Sequence, residues 1–440
     1  MPEYLMLRSA PVAAALLAAL TPVAPALAQE SGFRSYATAE IRGAEFIPEA
    51  DIRQTCGELE GVALDAVDLA AIEDCLMYTG VFEEVTLTPQ GDVLLVEVRE
   101  VPLRPGRIDA GLAWSNDYGL SGTLNYEQLN LIPGTWLAVR NTWSEDYKAY
   151  QFSLYAQKPS LAGLKFALDI GGTRERYGDL DFSARSDIAE LWALWEADPA
   201  LSFEGGIGYR DQRLYDVQPG ASPLLRQEAG AVKAPFLRFA FDYATPAAPE
   251  GAEEGARRPR ASLRVESYLW NLGTGRRLSE LRIETAYLQP LGSDYRVTAA
   301  LRGGLVRGLG GALPNAQDRG FAGGETLRGF APRGLGPIHQ GSRLGGERWL
   351  SATLEMQRRL PVDLAKGLTA GVFLDAGTAW RLSDSLGGVI DDTARLRTSL
   401  GLSLSFDVSN VPVSLYIATP LKRVTGDRRQ VFGLSAAARF

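Results

Sequence analysis

Few residues in this chain of 440 residues are of the types that perform catalysis or bind metals. There is one histidine, His339, and there are two cysteines, Cys56 and Cys75. A catalytic triad needs a nucleophile, a histidine and a carboxylate in contact, and no predicted strand presents a serine and a carboxylate at spacings that point to His339. Zinc sites need several Cys or His ligands. The sequence therefore indicates no enzyme, no cofactor and no metal site.

The two cysteines have the spacing of a structural disulfide. Cys56 follows Ile52 at i, i+4 spacing on one predicted helix, and Cys75 lies on the apolar stripe of a second. In an oxidising compartment such a pair is normally oxidised, and closing the loop stabilises a small domain by about 3 kcal/mol. Two buried free thiols are the alternative.

The first 28 residues have the layout of a secretory signal peptide. Arg8 precedes the apolar stretch Ala10–Leu20, and the triplet Ala26-Leu27-Ala28 provides a cleavage site. An uncleaved membrane anchor is the alternative, although the apolar stretch is short for a spanning helix. We therefore expect residues 1–28 to be removed and the remainder to be exported.

The composition restricts the partners of the protein. The 53 Asp and Glu residues outnumber the 45 Lys and Arg residues, which gives a formal net charge of −8. Nucleic-acid binding needs clustered Lys and Arg, so we expect no nucleic-acid partner. Hydrophobic residues make up 46% of the chain, which is too many for a disordered protein.

Residues 37–102 follow the order strand-helix-helix-strand-strand. Residues 37–42 predict a short strand, and Pro48 is an early residue of the first helix. Asp65 is the predicted N-cap of the second helix. Two strands, at 81–88 and 93–101, are joined by a turn and complete a small α/β domain. The apolar stripe predicted for the second helix consists of Leu64, Val67, Ala71, Cys75 and Tyr78.

Residues 103–440 show polar and apolar residues in alternation, with turn residues between the alternating segments. In the fourteenth predicted strand Leu400, Leu402 and Leu404 fall on one face. The opposite face carries Ser399, Ser403 and Ser405. We count sixteen such strands, in which short turns alternate with longer connections that include 212–228 and 308–346. An even number of long strands is typical of outer-membrane barrels. The predicted fold is mainly β: a 16-stranded antiparallel transmembrane β-barrel preceded by a small α/β domain.

The connection between the eleventh and twelfth predicted strands is rich in glycine and contains Leu327-Arg328-Gly329-Phe330. It is not a phosphate-binding loop, because it has neither the strand-to-helix context nor a following Lys-Ser/Thr. Alternation in the next two strands places Glu355 and Asp375 in the barrel lumen. An ordinary surface loop with an exposed arginine is the alternative.

Together these features resemble the BamA/TamA family of outer-membrane assembly proteins, within the bacterial surface antigen family. Residues 37–102, with Thr79-Gly80-Val81-Phe82 leading into the second strand, resemble a POTRA domain. The loop motif is similar to the Val/Ile/Leu-Arg-Gly-Phe/Tyr element of the family, and residues 373–377 are similar to its Phe-x-Asp-x-Gly pattern. The terminal Phe440 is similar to a C-terminal sorting signal.

The resemblance implies that the loop folds back into the lumen, where Arg328 pairs with Asp375 and Glu355. A planar guanidinium forms bidentate, charge-assisted hydrogen bonds that lysine does not reproduce. The resemblance also implies that Gly329 lets the loop turn sharply and that Phe330 packs against the barrel wall.

The function implied by the resemblance is that of an outer-membrane insertase or translocase. The POTRA domain would lie in the periplasm and capture unfolded outer-membrane or secreted polypeptides by β-augmentation. The barrel would lie in outer-membrane lipid and open at a weak seam between its first and last strands. In the last strand Gly433 and the alanines at 436–438 are small residues that favour a labile seam.

Alternative functions remain at this stage. A dedicated two-partner-type secretion pore would pass one polypeptide through the lumen. Insertases of the family usually carry several POTRA domains and two-partner transporters carry two, whereas this chain has room for one. A further alternative is that the POTRA-like domain is only a spacer that plugs or caps the barrel. A passive porin is another alternative, although it would need neither this domain nor the loop motif. An inner-membrane or periplasmic partner is a further possibility that the sequence leaves open.

Overall fold

The structure is a computed structural model that describes residues 34–44, 47, 49–101, 106–115, 119–132, 134–156, 159, 163–177, 181–246, 258–360, 366–408 and 411–439. The predicted signal peptide (residues 1–28), Pro48 and Phe440 lie outside the described residues. The chain divides into two compact units, and the boundary falls between Val101 and Pro102.

The N-terminal unit is an α/β domain built around a three-stranded sheet. The long strand β5 lies in the middle of the sheet, parallel to β2 and antiparallel to β4. Two short strands, β1 and β3, pair separately. The elements are β1 (Arg34–Ser35), β2 (Thr38–Arg42), α1 (Glu49–Thr55), β3 (Ala63–Leu64), α2 (Ala66–Tyr78), β4 (Phe82–Gln90) and β5 (Val93–Glu100).

Helix α2 begins as predicted but buries a different face. The Asp65 side chain accepts hydrogen bonds from two backbone N–H groups of the first turn, which makes Asp65 the N-cap. The predicted apolar stripe is wrong, because Val67 is 74% exposed and Tyr78 is 89% exposed. Ile72 and Leu76 are buried instead. The helix carries Ala and Val on its outer face too, so the sequence pattern did not define which face meets the sheet.

Cys56 and Cys75 form a disulfide. Cys56 lies directly after the last residue of α1, and Cys75 lies in the last turn of α2. The bond joins the two helices across a sequence separation of 19 residues. Cys56 packs against the domain core, whereas Cys75 is exposed rather than on the buried face.

The C-terminal unit is a closed barrel of sixteen antiparallel strands in which the last strand pairs with the first, as the sequence predicted. The barrel strands are β6–β16, β20–β23 and β25. The elements in chain order are β6 (Arg107–Ser115), β7 (Gly119–Leu129), β8 (Thr135–Trp143), β9 (Tyr147–Ala156), β10 (Lys165–Tyr177), β11 (Phe182–Asp198), β12 (Leu201–Tyr215), α3 (Pro223–Glu228), β13 (Gly230–Ala244), β14 (Arg260–Trp270), β15 (Leu278–Leu291), β16 (Tyr295–Gly308), β17 (Gly329–Phe330), β18 (Ile338–His339), β19 (Ser342–Arg343), β20 (Arg348–Arg359), β21 (Lys366–Trp380), β22 (Arg397–Val408), β23 (Val411–Lys422), β24 (Arg429–Gln430) and β25 (Phe432–Arg439).

The outer and inner faces of the barrel wall differ in polarity, as expected for a transmembrane β-barrel. Leu402 on β22 is 62% exposed, whereas Ser399 on the opposite face of the same strand is fully buried. Apolar side chains therefore point outward, toward lipid, and polar side chains point into the lumen. None of the helices in the described part of the chain is long and apolar enough to cross a membrane.

The long connections pack on each other at one end of the barrel. The connection after β12 contains α3, and residues from it, from the β16–β20 connection and from the β21–β22 connection share an apolar cluster. A buried ion pair joins two of these connections, with Arg319 Nη1 2.7 Å from Glu228 Oε1 and Arg319 Nη2 2.8 Å from Glu228 Oε2. Burial raises the pKa of the Glu228 carboxyl, and Arg319 opposes that shift.

Candidate functional site

The connection between β16 and β20 returns to the lumen side of the barrel wall, where Arg328 meets two carboxylates. Arg328 Nε and Nη2 lie 2.9 and 3.0 Å from the two carboxylate oxygens of Asp375, and Nη1 lies 2.8 Å from Glu355 Oε2. The backbone N–H of Arg328 also donates to Asp375, at 3.0 Å. The Asp375 side chain is fully buried, and those of Arg328 and Glu355 are 14% and 10% exposed. The structure thus brings together the arginine and both carboxylates that the sequence singled out.

Phe373 forms the floor of this site. The guanidinium carbon of Arg328 lies 3.3 Å from the centroid of the Phe373 ring, which is a cation–π contact. The ring has room because Gly401 stands opposite it on β22, where a Cβ atom would approach the ring to 2.2 Å. Phe373, Asp375 and Gly377 occupy every second position along β21, so all three face the lumen. This spacing is the physical content of the Phe-x-Asp-x-Gly pattern, from which sequence reasoning drew only the aspartate.

Side chains on β20 and β22 form hydrogen bonds with Glu355 and with the backbone of Arg328. Glu355 Oε1 accepts hydrogen bonds from Ser403 Oγ at 2.6 Å and from Gln357 Nε2 at 2.7 Å. Ser399 Oγ donates to the backbone carbonyl of Arg328 at 2.5 Å. Sequence reasoning placed these serines on the lumen face but did not assign them to the site, because alternation identifies a face and not a contact.

The residues around Arg328 allow the loop to approach the wall closely. Gly329 has φ +94°, a left-handed conformation that favours glycine, and a Cβ atom there would lie 3.0 Å from Ser399 Cβ. At Gly377 a Cβ atom would lie 3.3 Å from Leu327 Cδ1, so this glycine leaves space for the leucine. Leu327 and Phe330 are fully buried and share a cluster within the loop, whose other members are Ala322 and Leu335.

The motif also pairs with the chain segment that leads to the last barrel strand. Gly329 pairs with Gln430 and Phe330 pairs with Arg429, so β17 and β24 form a two-stranded antiparallel sheet. Only Val431 separates β24 from β25. The loop therefore contacts the β20–β22 wall through Arg328 and the approach to the last strand through its backbone.

A buried ion pair also holds the β23–β25 connection. Arg397 Nε and Nη2 lie 3.1 and 3.0 Å from the two carboxylate oxygens of Asp427. The side chains are 4% and 0% exposed. Asp427 Oδ2 also accepts the backbone N–H of Val424 at 2.7 Å. Sequence reasoning missed this pair, because neither residue lies in a recognisable motif.

The first and last strands pair with each other and close the barrel. In the part of the chain that the structure describes, β25 and β6 form five residue pairs, from Ser435 opposite Ser115 to Arg439 opposite Gly111. The described residues of β25 and β23 also form five pairs, whereas fourteen pairs join β12 to β13, so the last strand has few described pairs on either side. Gly433 lies beside the ring of Tyr416, to which a Cβ atom would approach within 1.9 Å. We call the β25–β6 junction the seam.

On the lumen side of β11–β14, ion pairs between side chains connect neighbouring strands. Arg238 on β13 contacts Glu190 on β11, at 2.5 Å, and Glu204 on β12. Arg264 on β14 contacts Glu204 at 3.2 Å and Glu266 at 2.9 Å. This network ties four adjacent strands together. It was not predicted, because the contacts depend on the register of strands far apart in sequence.

His339, the single histidine of the sequence, contacts a serine of the β12–β13 connection. His339 Nδ1 lies 2.9 Å from Ser222 Oγ, and this serine is fully buried and caps α3 by accepting the N–H of Leu224 at 3.3 Å. Among the described residues no group of three or more His, Cys, Asp or Glu side chains is arranged to hold a metal ion.

The fold and the anchored loop together define a class: an outer-membrane type of β-barrel whose lumen holds one of its own loops. Residues 259–440, which include the motif and both carboxylates, match the Omp85 superfamily domain. This match covers the C-terminal part of the barrel, from β14 onward.

Curated relatives resemble part of this sequence, and solved structures resemble its fold. The human Sorting and assembly machinery component 50 homolog is 29% identical over 145 residues, which is 31% of this chain and 31% of that protein. Its mouse counterpart is 31% identical over 101 residues, or 22% of each chain. The matched region therefore spans less than a third of the length of these relatives.

Among solved structures, BamA from Haemophilus ducreyi lacking POTRA domains 1-3 matches with a TM-score of 0.70 at 19% identity, over 93% of this chain and 86% of that chain. CdiB from Acinetobacter baumannii matches with a TM-score of 0.54 at 13% identity, over 93% and 74%. At these identities the likeness establishes a shared fold.

Proposed function

We propose that the protein is an outer-membrane insertase or translocase that assembles or exports client polypeptides. The observation that carries this proposal is the seam, where the described residues of β25 and β6 form five pairs. A closed barrel offers no free edge, and lipid-exposed backbone groups must be paired. A seam that opens at low cost would supply an edge on which a client strand adds without leaving its backbone unpaired.

The N-terminal domain supports the same function if it is a POTRA domain that lies in the periplasm. Its strand-helix-helix-strand-strand order and its sheet, with β5 between β2 and β4, are compatible with that assignment. Sheet edges bind extended polypeptides through main-chain hydrogen bonds. Its role in this proposal is to hold a client, either an unfolded outer-membrane protein or a secreted polypeptide.

The anchored loop supports a role in positioning the seam. Arg328 joins the loop to β20 and β21, while β17 pairs with β24 just before the last strand. The loop thus links the carboxylates of the wall to one end of β25. Its removal from the lumen would free that end.

Reconstitution tests the proposal directly. The full-length protein is placed in phospholipid vesicles, a urea-unfolded eight-stranded barrel is added as client, and client folding is followed by heat-dependent gel mobility. We expect faster folding than in vesicles that contain a porin, which control for bilayer defects. Equal rates in the two kinds of vesicle would contradict insertase activity.

A dedicated polypeptide secretion pore is the second candidate, and the barrel likeness to CdiB favours it. The two functions differ in the path of the client. A photo-crosslinking residue at Leu112, which faces outward on the first strand, captures a client at the seam, and one at Thr123 on β7 captures a client in the lumen. Crosslinks at position 112 alone support insertion, and crosslinks at position 123 alone support translocation through the lumen.

A further inference from the structure

The outward face of the barrel wall carries an apolar groove that ends at the last strand. Five neighbouring strands, from β20 to β25, each contribute one outward-facing side chain, and each of these residues lies directly opposite the next: Met356, Val372, Leu402, Ile417 and Phe432. The five side chains are between 47% and 62% exposed. Neighbouring strands lie about 4.8 Å apart, so the row extends about 19 Å across the wall.

The groove has the size and the lining of a site for a hydrocarbon chain. Its volume is about 610 Å³, and its lining is almost entirely apolar. Ala370 leaves room in it, because this small residue stands opposite Arg358 on one side and Leu404 on the other. The volume is within the range of ligand sites in proteins. Since this face of the wall meets lipid, the ligand that fits the groove is an acyl chain.

A cation stands at one end of the groove. Arg358 is exposed and is the next-to-last residue of β20. Its guanidinium carbon lies 5.2 Å from the centroid of the Tyr295 ring, which is a cation–π contact. Within the described ranges Arg358 forms no ion pair. Stacking on a ring leaves the N–H donors at the edges of a guanidinium available, so this cation is positioned but lacks an anion.

Arg358 and Tyr295 lie at the level where lipid headgroups begin. Tyr295 is the first residue of β16 and follows a short turn, and aromatic residues at strand ends form girdles at the membrane interface. Strand β16 is the eleventh of the barrel in chain order and β6 is the first, so in this antiparallel barrel both begin at the same end. The cation therefore lies at the end where the chain enters the barrel.

We propose that the groove binds one glycerophospholipid, with an acyl chain along the row from Met356 to Phe432 and the phosphodiester on Arg358. A guanidinium binds phosphate oxygens through paired, charge-assisted hydrogen bonds. The chain contributes apolar burial and the phosphate contributes charge, so neither half alone fills the site. The bound chain covers Phe432, the first residue of the last strand. The site is independent of the proposed function, since a barrel that inserts no client can still retain a lipid.

Native mass spectrometry of the full-length protein, released from detergent micelles, measures the binding. Three probes separate the two halves of the ligand. Dioleoylphosphatidylglycerol has both halves, dioleoylglycerol has the same chains without the phosphate, and glycerol phosphate has the phosphate without the chains.

Two substitutions test the two halves of the site, each with a matched control. Arg358→Gln removes the cation, and Arg348→Gln is its control, because Arg348 is an exposed arginine on the same face of β20 at the other end of the strand. Ala370→Leu fills the groove. Ala299→Leu adds the same volume outside the groove, at a residue opposite the outward-facing Leu354. Heat-dependent gel mobility confirms that each variant barrel is folded.

We expect wild type to bind one dioleoylphosphatidylglycerol about tenfold more tightly than dioleoylglycerol, as one charge-assisted interaction implies. Glycerol phosphate should not bind at the same concentrations. Arg358→Gln should lose the preference for the phospholipid, and Ala370→Leu should bind both lipids more weakly. The two control variants should behave as wild type.

Equal affinity of wild type for the two lipids would overturn the phosphate site. An equal loss in Arg358→Gln and Arg348→Gln would also overturn it, because the effect would then be one of general charge. Unchanged lipid binding by Ala370→Leu would overturn the groove as the site of the chain. A dimer that forms without added lipid and that Ala370→Leu disperses would assign the groove to a second copy of this chain. Client folding in vesicles reports separately on the proposed function.

Discussion

The guanidinium carbon of Arg328 stands 3.3 Å above the centroid of the Phe373 ring, within a site where Phe373 is 1% exposed. The arginine is therefore held from its edges by two carboxylates and from below by an aromatic face. A desolvated cation–π contact contributes about 2 kcal/mol. The site therefore fits the planar guanidinium of an arginine. The ammonium group of a lysine would form neither the forked hydrogen bonds nor the stacked contact.

Substitution of Arg328 should destabilise the anchored loop in a graded way. Arg328→Ala leaves the fully buried Asp375 carboxylate without its counter-charge, which costs about 3 kcal/mol. Arg328→Lys should recover less than half of that loss. The thermal transition of the barrel on gels measures stability, and client folding in vesicles measures function. Full function of the lysine variant would show that the fork is dispensable.

Phe373→Leu should weaken the loop anchor while it preserves most apolar volume. The cation–π contact is lost, so we expect the loop to leave the wall more often and to become accessible to trypsin at Arg333. Phe236→Leu is the control, because Phe236 is equally buried in the lumen but packs on Trp270 at a ring distance of 4.6 Å, away from Arg328. Equal cleavage of the two variants would argue against a specific contribution of the Phe373 ring.

Reduction of the Cys56–Cys75 disulfide should destabilise the N-terminal domain alone. Opening a loop with a sequence separation of 19 residues removes about 3 kcal/mol of stability. Limited proteolysis of the full-length protein with and without reductant should show faster cleavage of residues 49–78 and unchanged cleavage of the barrel. Mass mapping that finds both thiols alkylated in folded, unreduced protein would contradict the bond.

Asp427→Asn should speed amide exchange in the last strand, although Asp427 lies outside that strand. The substitution leaves Arg397 buried and without its charged partner, at a cost of about 3 kcal/mol, in the connection that contains β24. Because β24 precedes β25 by one residue, we expect faster amide exchange of residues 432–439 by mass spectrometry.

A solvent-exposed ion pair supplies the control for this prediction. Asp391 and Arg395 are 54% and 50% exposed, and exposed pairs contribute at most about 1 kcal/mol. Asp391→Asn should therefore leave the exchange of β25 unchanged. If both variants leave it unchanged, the connection does not control the last strand.

The sequence predicted the strand count and the lumen faces because alternation is a local property of each strand. It also identified Arg328 and Asp375, since these lie in recognisable motifs, and Glu355, since alternation places it in the lumen. Contacts that depend on the register between strands could not be predicted from the sequence. Arg238 is an example, because its two carboxylate partners lie 48 and 34 residues away along the chain. The buried face of α2 was misassigned for another reason: Val67 and Ile72 are both apolar, and only packing against the sheet decides between them.

The final prediction concerns the seam itself. Ala113 on β6 lies opposite Ala437 on β25, in the middle of the five described pairs of the seam, so cysteines at both positions are close enough for a disulfide across the seam. If clients enter through a lateral opening, Ala113→Cys/Ala437→Cys should abolish client folding when oxidised and recover it when reduced. Each single cysteine variant controls for the substitutions. A second double variant, Ser186→Cys/Gln212→Cys, joins β11 and β12, a strand pair that need not open, and should stay active in both states. A hydrogen bond contributes about 1 kcal/mol net in water and more in lipid, so a seam with few pairs opens at a lower cost than one with many, whereas a covalent bond across it does not open. Client folding at the normal rate by the oxidised seam variant would exclude lateral opening and would favour passage through the lumen.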